Sequence, residues 1–73
     1  MTKAHEQPQP PDIEDAIRRR ILARAAAING QILTRLATVS DDLDAGCHRA
    51  ALGGLDGTDR QIETMCSLLL LLP

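Results

Sequence analysis

The chain has no phenylalanine, tyrosine or tryptophan. The side chains that usually bury the most surface are therefore missing, and leucine, isoleucine and alanine must pack whatever core exists. The same absence removes the aromatic platforms on which single-stranded nucleic acid stacks. Neither sign of charge dominates: 8 Lys and Arg stand against 10 Asp and Glu, for a net charge of −2. That balance lacks the electrostatic footprint of a nucleic-acid or membrane-surface protein. The longest unbroken leucine run, Leu68 to Leu72, is far short of the ~20 apolar residues that cross a bilayer. No membrane span is expected.

Reactive groups are also scarce. The two cysteines, Cys47 and Cys66, lie nineteen residues apart. Along one helix that is roughly 28 Å, and a disulfide needs Cα atoms within about 7 Å. They read as reduced thiols serving as small apolar filler. His5 and His48 lack the spacing of metal ligands. Catalysis would need a nucleophile, an orienting base and a stabilising cleft, and the sequence assembles none. It points to no catalytic residue, no metal, no cofactor and no small-molecule substrate. Ser40 and Thr58 read as helix-end residues.

Residues 1–11, MTKAHEQPQPP, hold three of the four prolines and show no apolar periodicity. They are expected to form a disordered tail. The stretch is polar and does not resemble an apolar leader, so a cytoplasmic location is expected.

What the chain has is a stripe. Ile13, Ile17, Ile21, Ala25, Ile28, Ile32, Leu36, Val39 and Leu43 recur at steps of three and four residues. That is the period of an α-helix and not of a strand. Asp12 precedes the stripe as a candidate cap, and Glu14 and Asp15 suit the positive end of a helix dipole. Arg18 to Arg20 span about 200° of the circumference and cannot share one binding face. Glu14 and Asp15 stand four residues before Arg18 and Arg19, which suits ion pairing along the helix. Gly30 interrupts the stripe without shifting its phase, as a close-packing point or a slight kink. Aspartates at 41, 42 and 44, followed by Gly46, mark the helix end.

A second periodic set follows: Ala51, Leu52, Leu55, Ile62, Met65, Cys66, Leu69 and Leu72. Gly53, Gly54 and Gly57 weaken its first half. One reading is a continuous helix whose strip of Ala50, Gly53 or Gly54, and Gly57 presses on the first. The other starts the helix near Thr58, which stands three residues before Gln61 at capping-box spacing. The continuous helix is favoured. The expected fold is all-α: an antiparallel helical hairpin with a helix over about 13–44, a turn over about 44–48 and a helix over about 49–72. That register sets Leu52 near Val39, Leu55 near Leu36 and Leu69 near Leu22.

Five consecutive leucines surround a helix at ~100° per residue, so a hairpin would leave two or three of Leu68, Leu69, Leu70, Leu71 and Leu72 in water. An exposed run of this kind marks an interaction site. The expected partner-binding set is Ile17, Ile21, Ile28, Ile32, Met65 and Leu68 to Leu72.

Two stretches carry a family resemblance. QILTRLATVSDDLDAG, residues 31–46, resembles the first arm and turn of the small E-type co-chaperone of type III secretion systems. GTDRQIETMCSLLLLL, residues 57–72, resembles that family's second arm, with its apolar end. The resemblance implies a cytosolic, non-enzymatic hairpin that pairs with a helical-repeat chaperone. Together the two would keep the secreted needle subunit monomeric before export. Two other readings stay open: a self-associating helical-bundle regulator that could engage nucleic acid, and a phage- or plasmid-encoded inhibitor protein.

Overall fold

The structure is a computed structural model that describes residues 13–73. Asp12, His5 and the proline-rich tail expected over residues 1–11 lie outside the described residues. Two helices account for the fold: α1, Ile13–Asp44, and α2, His48–Leu69. They pack against each other as an all-α hairpin, with no strand among the described residues.

Helix α1 holds 32 residues and is about 48 Å long at ~1.5 Å per residue. Its first turn carries Glu14 and Asp15. Asp15 pairs with Arg19 at 3.0 Å, one turn on, across an exposed surface where such a pair contributes a few tenths of a kcal/mol. Gly30 is neither a packing point nor a break. The helix runs through it, and a β-carbon there would meet nothing within 4 Å.

The turn closes in a recognisable backbone pattern. The Gly46 N–H donates to the Leu43 carbonyl at 3.1 Å, and the Cys47 N–H donates to the Asp42 carbonyl at 2.7 Å. This double closure needs a left-handed residue, and Gly46 supplies it with φ of 77°. Cys47 then caps α2 with its backbone alone. Its carbonyl accepts the Ala51 N–H at 3.1 Å, but its side chain makes no capping hydrogen bond. Both thiols are exposed, so neither cysteine is the apolar filler that its small size suggested.

Helix α2 is continuous across Gly53, Gly54 and Gly57. Thr58 is therefore a mid-helix residue and not a helix end, and its spacing to Gln61 is not a capping box. Its hydroxyl instead donates to the Gly54 carbonyl at 2.8 Å, which lets a polar side chain be buried. Ser40 likewise lies inside α1. The helix expected to reach about residue 72 ends at Leu69. Beyond it the N–H groups of Leu71 and Leu72 make tighter bonds to the Leu68 and Leu69 carbonyls, each at 3.1 Å.

The core is thin. The buried residues are Ala25, Ile28, Ile32 and Val39 on α1 and Ala51 and Thr58 on α2. Of the small-residue strip expected against α1, Gly57 and the Gly54 alternative do face α1, whereas Gly53 faces water and Ala51 takes the place expected of Ala50. Arg35 lies across Gly57, where a β-carbon would collide with its guanidinium.

Candidate interaction surface

Two helices side by side leave two open faces, and here they differ in chemistry. On one, Leu36 of α1 lines a groove with Leu52, Leu55 and Ile62 of α2. Leu22 and Leu33 stand within about 60° of Leu36 round α1, and Leu69 lies two heptads beyond Leu55 on α2. Together these seven side chains form an apolar band along the hairpin, each at least 38% exposed. Asp56 and Asp59 edge it.

The opposite face is polar. Arg24, Gln31, Arg60, Gln61 and Thr64 surround the outer edge of Ile28. The Gln61 amide donates to the Gln31 carbonyl oxygen at 2.8 Å. The Gln61 carbonyl oxygen is buried and has no partner. Arg24, Arg35 and Arg60 make no ion pair among the described residues.

The leucine end forms a third region. Leu71, Leu72 and Pro73 border an open cleft with Ile17, Ile21 and Arg18. Leu68 and Leu72 are half-buried, whereas Leu69, Leu70 and Leu71 face water, Leu70 most of all at 83%.

The expected partner-binding residues therefore divide. Ile17, Leu69, Leu70 and Leu71 are exposed, and Ile21, Met65, Leu68 and Leu72 are half-buried. Ile28 and Ile32 are 4% and 5% exposed, because they sit at the centre of the stripe that α2 covers. They belong to the hairpin's own core and present no surface to a second protein. Sequence reasoning treated Leu36, Leu52 and Leu55 only as packing pairs and gave Leu22, Leu33 and Ile62 no part in an interface. The available signal was arc width: α2's apolar side chains, from Leu68 round to Leu52, span about 200° of circumference, more than one neighbouring helix covers.

No described residues form a cluster of three or more histidine, cysteine, aspartate or glutamate side chains that could hold a metal. No helix among them is long and apolar enough to cross a membrane. Comparison with known proteins matches no protein family, no curated protein and no solved structure.

Proposed function

We propose that this chain is a protein-interaction subunit and not an enzyme, and that it works by lending its apolar face to the helices of another protein. One observation carries this reading. Among the described residues, 12 large hydrophobic side chains are exposed, and most lie in the band or at the leucine end. An apolar surface that is contiguous rather than scattered is the mark of a surface to be covered.

The resemblance of residues 31–46 and 57–72 to the type III secretion co-chaperone supplies the candidate partner, a cytoplasmic helical-repeat chaperone. The inner concave surface of such repeats suits an elongated hairpin. In this role the pair would shield the secreted needle subunit before export.

Co-expression with a needle-complex helical-repeat chaperone tests the reading. The expected result is a stable co-purifying complex that Leu69→Asp abolishes while far-UV helicity survives. A chain that never co-purifies with that chaperone overturns the chaperone role. Retained binding in Leu69→Asp removes the leucine end from the interface.

A second reading has its own support. Arg24 and Arg60, together on the polar face and without carboxylate partners among the described residues, favour a regulator that meets a polyanion. Salt-dependent nucleic-acid binding, weakened by Arg24→Gln and Arg60→Gln, would select it.

A further inference from the structure

We infer that in the absence of any other protein the apolar band is covered by a second copy of this chain, giving a closed four-helix bundle of two hairpins. The inference concerns the same face as the proposed partner contact but needs no chaperone.

Area is the first argument. A fully exposed leucine side chain offers roughly 120 Å² of apolar surface. At the observed exposures, between 38% and 62%, covering the seven band residues removes about 400 Å² from each protomer. Two copies together hide about 800 Å² of apolar surface. Interfaces are about 60% apolar, so the whole contact reaches about 1,300 Å², inside the range of stable, specific assemblies.

Pattern is the second. On α2, Leu55, Ile62 and Leu69 repeat at seven residues, beside the inner positions Ala51, Thr58 and Met65. One row faces α1 and the adjacent row faces the groove. A helix with two adjoining apolar rows at heptad spacing is built to meet two neighbours, as each helix of a four-helix bundle does. A hairpin supplies α2 with one neighbour. A two-fold related hairpin, whose face is by symmetry the same, supplies the other.

Charge opposes pairing, but weakly. The groove bears no arginine or lysine, and a two-fold copy brings a second Asp56 and Asp59 to the same exposed edge, where salt screens them. A net charge of −2 per chain opposes pairing only weakly. The small core favours pairing, since a chain this size commonly gains its stability by association.

Sedimentation equilibrium of the purified full-length chain decides the matter. The expected mass is twice the 7.9 kDa of one chain, with a thermal midpoint that rises with concentration over a roughly hundredfold dilution series. Leu55→Lys places a charge in the groove and should yield a helical single chain. Thr34→Lys, about 160° round α1 from Leu36, should leave the mass doubled. If Leu55→Lys loses its helical circular dichroism, Leu36→Gln is read instead. A single-chain mass at every concentration overturns the inference, as does a species growing beyond two chains or a doubled mass that survives both groove variants. The two readings fail separately. A monomer that captures the chaperone sinks only the dimer, and a dimer that captures nothing sinks only the chaperone role.

Discussion

A β-carbon built on Gly54 would stand 2.7 Å from Cγ2 of Val39. The two helices approach so closely there that only a hydrogen fits, and the branched valine cannot swing aside. Gly54→Ala should therefore lower stability by about 1–2 kcal/mol, the cost of overpacking outweighing the gain in helix propensity. At the neighbouring Gly53, a β-carbon meets nothing within 4 Å. Gly53→Ala should raise stability by about 0.5–1 kcal/mol. Urea titrations of the two variants should move in opposite directions, and equal shifts would show that the close approach is not real.

Gly30 offers a cleaner gain. It lies in open space inside α1. Gly30→Ala should add about 1 kcal/mol, which in a domain this small raises the melting temperature by roughly 4–8 °C. Calorimetry checks it, and a loss would mean that the helix depends on flexibility at this point.

The second helix starts without a side-chain cap, since Cys47 makes none. Cys47→Asp should gain about 1 kcal/mol by adding an acceptor for the free N–H groups of the first turn and a negative charge at the positive end of the dipole. The Asp42 and Asp44 carboxylates close by reduce the gain, so Cys47→Ser is the neutral comparison. Thermal unfolding of both variants under reducing conditions tests this. The exposed wild-type thiols at 47 and 66 should both react with a thiol reagent without prior unfolding.

The unpaired Gln61 carbonyl oxygen predicts that Gln61→Leu is tolerated or stabilising by up to about 1 kcal/mol, because it removes a buried acceptor of similar shape while giving up one hydrogen bond to Gln31. Ile28→Ala should do the reverse and cost about 2–4 kcal/mol, much of the total stability of so thin a core. Denaturant unfolding gives both values.

The hairpin was legible because α1's stripe keeps phase for more than 30 residues and Gly46 follows it. The relative placement of the helices was legible in part: Leu36 and Leu55, paired by counting back from the turn, do line one groove, whereas Val39, expected near Leu52, lies against Gly54 and Leu52 faces water. What failed to show was which small residues touch. Ala50 and Ala51, or Gly53 and Gly54, look alike to any argument from periodicity, because a glycine has no side chain to mark a face. Thr58 misled for a related reason, since a threonine three residues before a glutamine has the same spacing whether it opens a helix or returns its hydroxyl to the preceding turn. The band was missed because the width of an apolar arc was judged against a single neighbour.

The contact at Gly54 also acts as a notch. Sliding α2 along α1 by one turn would bring Ala50 or Thr58 opposite Val39, and either side chain would wedge the rods apart there. A four-residue slide in either direction therefore loses the nesting of the backbones. The apolar band draws side chains from both rods, so a single missing β-carbon also holds the two halves of that surface in step.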